Sequence, residues 1–362
     1  MTISTIYVIS TASSHHFHEQ QRIAQTQMSL RMAMMQIRDD FERAGLFGTP
    51  NSALEQRCRA PAFELRAVEF QNDVDTGVLP NAAENGVTAD RIRLVGAFAA
   101  PAAYLISTSD SLGGRFFLQQ EWQGFRRDFG EGSSFRVDDF TSTFAPGRVA
   151  HIVNQRGMHF FSRVQGSDAL AGAVDLQPIG VGGHCVGGLS DGALLSVLSR
   201  VEYIVINPRS EAGLANLLSP ETEALSDARG LTPSTLIRRE LEFGSDTPIP
   251  GTERIVLEYV ADFNLDFVLD RAADAADPPD LRRLSGADAA AAIAAAPQQV
   301  RSVQVSLSAR TAGHEPRFRW AARGAGEPLI RYRTDPDLPG AARVRTQRAE
   351  ILLPNLAYRV LR

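Results

Sequence analysis

One short run of the sequence could carry nucleophilic catalysis. Residues 188–192 read Gly-Leu-Ser-Asp-Gly, which matches the nucleophile-elbow pattern around Ser190. Asp262 or Asp266, followed by His314, would supply the acid and the base in the right chain order. An elbow must lie between a strand and a helix, but the residues before this run are too rich in glycine for a central strand. The sequence therefore favours no catalytic residue, and a secreted serine hydrolase that uses Ser190 remains the enzyme alternative.

Histidines are the second group that could do chemistry, through metal binding. His15 and His18 lie three residues apart on a predicted helix, but Glu19 beside them points to another face. His151 and His159 flank a predicted hairpin and could face each other across it, without a third ligand in view. Because zinc sites use three or four protein ligands, the sequence predicts no metal site here.

An oxygen-rich segment could bind calcium. Residues 72–77 read Asn-Asp-Val-Asp-Thr-Gly, with possible ligands at alternate positions before a glycine. The acidic residue that closes an EF-hand loop is missing. Calcium at Asp73 and Asp75 is thus an open alternative rather than a prediction.

The composition excludes several functional classes. All 37 basic residues are arginine, and the sequence contains no lysine. A P-loop, a pyridoxal enzyme and a Ser-Lys hydrolase each require a lysine, so none of these can operate. A net charge of −5 gives no electrostatic footprint for nucleic acid. We expect no cofactor and no nucleic-acid partner.

The strongest structural signal is a long amphipathic helix over residues 16–48, which ends near Gly45 because glycine suits the left-handed C-terminal position. Its apolar residues recur at helical spacing and share one face. We expect this face to pack on the protein's own sheet over part of its length and on neighbouring subunits over another part. The predicted packing and assembly residues are Ile23, Leu30, Met34, Ile37 and Phe41.

Most of the remaining chain alternates apolar and polar residues, which is typical of antiparallel strands with one exposed face. Further predicted elements are a hairpin within 148–164, a short helix at 286–296, and strands at 91–98, 200–206, 235–243, 254–270 and 300–311. The predicted organisation is an N-terminal helix, residues 1–48, followed by a β-rich head, residues 49–362. The head could divide into two sheets near residue 190.

The run from Gln20 to Gly45 resembles a segment of minor pilins of the PilW type, which belong to type IV pili. In that family, a Gln-rich turn follows the membrane-spanning half of the N-terminal helix and leads to an acidic, Arg-containing Ala-Gly end. The matching residues are Gln20, Gln21, Gln25, Gln27, Asp39, Asp40, Arg43, Ala44 and Gly45. Residues 300–311 and 348–360 are similar to the family's closing strand pair. The resemblance implies an α+β, pilin-like fold, in which a long N-terminal α-helix packs on a large antiparallel β-rich head.

The beginning of the chain departs from this family. Family members carry a short leader and then about twenty apolar residues that cross the inner membrane. Residues 1–14 contain only a short apolar patch and lack the charged start of a secretory signal. We expect Met1 to be either an internal start or an artificial boundary, and residues 1–14 to be the tail of a membrane helix.

Two cysteines, Cys58 and Cys185, are compatible with a single disulfide or with two unpaired thiols. The resemblance implies a periplasmic and then extracellular protein, and disulfides persist in such compartments. Both alternatives stay open at this point.

The function that the resemblance implies is structural and non-enzymatic. The chain would contribute to assembly of a type IV pilus or of its tip complex, with other minor and major pilins, and a tip adhesin, as partners. It would contact the inner membrane through an upstream helix segment, and would lie in the inner membrane and periplasm before assembly and in the extracellular pilus afterwards. A type II secretion pseudopilin is the alternative of the same class, and a soluble carbohydrate- or surface-binding β protein is a third.

Overall fold

The computed structural model of the protein describes residues 2–55, 64–74, 76–110, 114–177, 189, 192–211, 213–220, 234–272, 277–324, 326–337 and 340–357. For residues 2–16 and 18 it describes the backbone alone.

One long helix, α1 (Thr2–Arg43), opens the chain and ends just before Gly45, whose φ of 78° is left-handed as predicted. Its 42 residues correspond to a length of about 63 Å. The other α-helices given in full by the described residues are short: α2 (Ala82–Asn85), α3 (Gln123–Phe129), α4 (Val137–Thr143), α5 (Gly286–Ala295) and α6 (Pro354–Ala357). Within the described residues, no helix combines the length and the hydropathy that a bilayer crossing requires.

The first sheet contains ten strands that pair antiparallel: β1 (Val68–Gln71), β2 (Arg91–Gly96), β3 (Ala103–Asp110), β4 (Arg115–Leu118), β5 (Val149–Val153), β6 (His159–Asp168), β7 (Ala173–Leu176), β8 (Leu194–Ile206), β9 (Thr235–Leu241) and β10 (Arg254–Leu257). Six of them close into a ring, in the order β8-β3-β4-β7-β6-β5 and back to β8. The remaining order, β1-β2-β8-β9-β10, forms the open part of the sheet. Strand β8 belongs to both, because Leu194–Leu198 pairs within the ring and the residues that follow pair with β2 and β9.

The ring has an aromatic core of its own. Helices α3 and α4 contribute Phe125, Phe129 and Phe140 to it. The rings of Phe125 and Phe129 pack against Tyr104 of β3, and Phe140 packs against both of these phenylalanines. The Tyr104 hydroxyl donates a hydrogen bond to Asp128 at 3.0 Å. The sequence did not predict α3, α4 or most of the ring strands.

The second sheet has five strands: β11 (Val260–Asp270), β12 (Leu281–Leu284), β13 (Val300–Arg310), β14 (Arg331–Tyr332) and β15 (Ala342–Leu352), in the order β12-β11-β13-β15-β14. The single strand predicted at 254–270 is two strands, because Tyr259 has a left-handed φ of 56° between β10 and β11. The chain passes from the first sheet to the second at this point. Strand β10 is thus the last described strand of the first sheet, and β11 is the first of the second sheet.

The predicted α+β, pilin-like fold, with a long N-terminal helix on a β-rich head, is wrong. Strand residues make up 38% of the chain and helix residues 24%, and two large antiparallel sheets dominate the structure. Helix α1 is the only helix of more than ten residues in the described part of the chain, so its length alone does not make the fold α+β. Its C-terminal half shares one hydrophobic core with both sheets and with α5. The protein is mainly β.

The alternation predicted for β13 is confirmed on one face. Val303, Val305 and Leu307 are fully buried in the main core. The other face was expected to be exposed throughout, yet Arg310 is only 2% exposed and lies between the rings of Tyr259 and Tyr332. Segments that are distant in sequence cover this end of the strand, which the alternation itself cannot show.

Charged residues form a row across the open part of the first sheet. The register aligns Glu69 of β1, Arg93 of β2, Glu202 of β8 and Arg239 of β9. Glu202 is fully buried and accepts hydrogen bonds from Arg93 Nε at 2.9 Å and from Arg239 Nε at 2.8 Å. Arg93 also contacts Asp246 at 3.0 Å. Because charges of opposite sign alternate along the row, each buried group has a partner.

Candidate functional site

The inner face of α1 contains the residues that the sequence predicted for packing. Leu30, Met34, Ile37 and Phe41 are at most 3% exposed, and Ile23 is half-buried. Helix α1 packs here against β15, β13 and β10. From Leu30 onward this face is therefore occupied by the protein's own core and is not free to meet a neighbouring subunit.

A buried polar cluster fixes the C-terminal half of α1. The Asp40 carboxylate accepts hydrogen bonds from the Tyr203 hydroxyl and from Arg238 Nε, both at 2.7 Å. Burial, and then the Asp40 charge, raise the pKa of Tyr203 well above its usual value, so its hydroxyl stays a donor. The sequence did not predict this cluster, because a single acidic residue in a helix gives no sign of a partner almost two hundred positions away.

A second contact fixes α1 nearer its N-terminus. Glu19 pairs with Arg343 of β15, and Arg343 also contacts Glu315 at 3.1 Å. The Arg343 guanidinium lies 4.4 Å from the centre of the Phe318 ring. Helix α1 is thus attached to the sheets at Glu19 as well as at Asp40. These two contacts hold the orientation of the turns between them.

The outer face of α1 carries a second set of apolar residues, which we call the outer stripe: Phe17, Ala24, Met28, Met32 and Met35. The four large side chains of the stripe are 58–66% exposed. At 100° per residue, they fall within about 60° of one another and about 140–180° from Ile37. Contiguous exposed apolar side chains of this kind mark interaction surfaces.

The outer stripe was not predicted, although the sequence contains a signal for it. Four of the six methionines lie between residues 28 and 35. Methionine is flexible and polarizable and is common on surfaces that adapt to a partner. Only Met34 of this group belongs to the inner face, so the other three required a separate explanation.

The candidate catalytic and disulfide residues cannot be placed together. Ser190, Cys58 and Cys185 lie outside the described residues, so neither the hydrolase alternative nor the disulfide is decided by the structure. The side chains of His15 and His18 are likewise not described.

The candidate metal residues are placed only in part. Asp75 lies outside the described residues, and the backbone N–H of Asp73 donates to Asp90 Oδ1 at 3.0 Å. His151 and His159 do face each other across the predicted hairpin, with Nε2 and Nδ1 2.8 Å apart. No group of three potential metal ligands from His, Cys, Asp and Glu occurs in the part of the chain that the structure describes.

The carboxyl groups of Asp90 and Asp262 are weaker acids than an ordinary aspartate. Burial raises the pKa of Asp90 and that of Asp262 from 3.8 to about 6. Asp90 accepts hydrogen bonds from the backbone N–H groups of Asp73 and Leu265, which oppose the rise, and the charges of Asp73 and Asp262 add to it.

These shifts predict that stability depends on pH. Because the folded protein holds these protons more tightly than the unfolded chain, their contribution is complete below about pH 4 and is lost as the pH rises to about 6. Each group accounts for about 3 kcal/mol over this interval. In urea denaturation at pH 4, 5, 6 and 7, we expect Asp262→Asn to show a smaller loss of stability with rising pH than the wild type. The same loss in both proteins would contradict the assignment to Asp262.

Comparison with known proteins adds no relative: no family model, no curated protein and no solved structure matches this chain.

Proposed function

We propose that this protein is a non-enzymatic structural subunit of a type IV pilus, which joins its neighbours through the outer stripe of α1. The observation that supports this proposal is a helix with two apolar faces. One face is held in the core and the other is exposed. The resemblance of the run Gln20–Gly45 to minor pilins of the PilW type supplies the kind of assembly.

The attachment of α1 to the body favours association. A binding surface that is already ordered loses less conformational entropy when a partner docks. The contacts of Glu19 and Asp40 hold the turns between them in one orientation, and the outer stripe, apart from Phe17, lies on these turns. Burying the exposed methionines would gain about 0.8 kcal/mol for each CH₂ group removed from water.

The partners in this proposal are other minor pilins, major pilins and a tip adhesin, and the inner membrane is contacted before assembly. The protein would lie in the inner membrane and periplasm first and in the extracellular pilus afterwards. The assembly residues differ from those that the sequence favoured, because Leu30, Met34, Ile37 and Phe41 are enclosed in the core.

The double variant Met28→Asp/Met32→Asp tests the proposal. We expect it to fold with a free energy of unfolding within about 0.5 kcal/mol of the wild type, because both side chains are exposed. We expect its amount in sheared and purified pili, measured by immunoblot, to fall at least about tenfold, since two charges would have to be buried at the subunit contact.

Gln27→Asp is the matched control, because Gln27 is exposed on the same helix and lies off the outer stripe. This variant should enter pili like the wild type. Normal incorporation of the Met28/Met32 variant into pili would show that the outer stripe is not the assembly surface.

A further inference from the structure

The turn that follows α1 is joined to the ring of strands by a chain of polar contacts. The Phe47 carbonyl oxygen lies 2.7 Å from His151 Nδ1 and also accepts a hydrogen bond from Ser196 Oγ at 2.9 Å. His151 Nε2 lies 2.8 Å from His159 Nδ1. On the far side of the second ring, His159 Nε2 lies 3.6 Å from a carboxylate oxygen of Glu55.

Both ends of this chain belong to the same short segment. Phe47 and Glu55 follow α1, whereas His151 and His159 lie on the paired strands β5 and β6. Phe47 has a left-handed φ of 52°, which is unfavourable for residues other than glycine. Contacts with the surrounding structure must therefore stabilise this backbone conformation. The two histidines therefore link the segment that follows α1 to the ring of strands.

The donors and acceptors between Phe47 and Glu55 determine which protonation state of the two histidines is favoured. A carbonyl only accepts, so His151 must carry its proton on Nδ1, and in its neutral form Nε2 is an acceptor. His159 must then donate from Nδ1, which leaves its Nε2 without a proton in front of the Glu55 carboxylate. One additional proton on His159 gives every nitrogen and oxygen of the chain a partner.

A second additional proton has the opposite effect. With both rings fully protonated, the N–H of His151 Nε2 would point at the N–H of His159 Nδ1, and the two positive rings would repel each other. The hydrogen bond between the rings cannot form in that state.

We propose that His151 and His159 form a two-step acid sensor: the first proton completes the chain from Phe47 to Glu55, and the second breaks it and releases the turn after α1 from the ring. This inference does not depend on the proposed function, because it concerns contacts within one chain.

The surroundings set the order of the two steps. Burial lowers the pKa of His159 from 6.5, and the Glu55 carboxylate opposes this fall. Burial lowers the pKa of His151 to about 4, the bond to the Phe47 carbonyl opposes the fall, and the charge of His159 adds to it. The Phe161 ring stacks on His151 at 4.6 Å. The neighbouring hydroxyls are uncharged: that of Ser196 donates to the Phe47 carbonyl, and that of Thr49 donates to Glu55. His159 thus takes the first proton, and His151 takes the second under more acidic conditions.

Nitrogen-15 NMR of the histidine rings, recorded from pH 8 to pH 3, tests the sensor together with amide hydrogen exchange. We expect two separate steps, with the ring signals of both histidines responding to the first. Corrected for intrinsic rates, the exchange protection of the Gly48 and Ser52 amides should fall at least about tenfold only at the second step.

Two variants separate the steps. Glu55→Gln should lower the midpoint of the first step by about one pH unit, because it removes the charge that favours this proton. His159→Gln should leave a single step at His151 and keep the turn protected in acid, since an amide can either donate to His151 or accept from it.

His314→Gln is the control for loss of a histidine, and it should leave both midpoints unchanged. The proposal is overturned if Glu55→Gln leaves the first midpoint in place, or if the turn of the wild type stays protected after His151 is protonated.

Discussion

Replacing Ile37 by aspartate is expected to unfold the protein or leave it barely stable. Ile37 has no exposed surface and lies in the core that α1 shares with both sheets. Losing this side chain from a packed core costs about 2–5 kcal/mol, and burial of an unpaired carboxylate adds several more. Since domains have a total stability of about 5–15 kcal/mol, a loss of this size removes most or all of it.

Met35→Asp is the matched control for this variant. Met35 lies two residues away on the same helix but is 64% exposed on the outer stripe. We expect its free energy of unfolding, from guanidinium denaturation, to stay within about 0.5 kcal/mol of the wild type. If Ile37→Asp were as stable as Met35→Asp, the placement of the inner face in the core would be refuted.

The second large effect is expected for Glu202→Gln. Glu202 is fully buried between Arg93 and Arg239, and an amide keeps its shape but removes its charge. Two guanidinium groups would then remain buried around a neutral group. Breaking a buried ion pair by removing one partner costs about 3–5 kcal/mol, so we expect a loss of that size in denaturant titrations.

Asp280→Asn shows the contrast with an exposed pair. Asp280 contacts Arg282 at 2.8 Å, but both side chains are largely exposed to solvent. Such pairs contribute about 0–1 kcal/mol, so the variant should differ little from the wild type. Equal losses in Glu202→Gln and Asp280→Asn would mean that the charged row contributes no more than a surface contact.

Local patterns in the sequence predicted a good part of the fold. The end of α1 at Gly45, helix α5, the β5–β6 hairpin and strands β2, β9 and β13 are confirmed near their predicted positions. These elements are specified by residues within a few positions of one another, through helical or alternating periodicity and through glycine at turns.

The long-range features were not predicted from the sequence, and they share one reason. The closure of the ring, the partners of Asp40 and the covering of Arg310 each join residues that are far apart in the chain. Local periodicity contains no information on which distant strand or side chain will be the neighbour. The break at Tyr259 was missed because a left-handed tyrosine has no sequence signature comparable to that of glycine.

The sequence pointed to α1 as the assembly element, but the residues that it named differ from those of the outer stripe. The periodicity of α1 correctly identified an apolar face, and the structure shows that this face belongs to the core. The exposed methionines lie on the opposite side of the helix, and none of them is among the residues predicted for packing. A helix with apolar residues on two faces has a weak overall amphipathic pattern, so periodicity alone shows only the wider face.

Strand β8 pairs both within the ring and within the open part of the first sheet, and this has a mechanical consequence. Tension applied to α1 reaches β8 through the hydrogen bond between Asp40 and Tyr203, well inside the strand and not at one of its ends. From there it spreads sideways into β2 and β9 and lengthwise into the ring, where no terminal strand offers a place for unzipping to begin. A pulled molecule would therefore share the force among many backbone hydrogen bonds before any strand detaches.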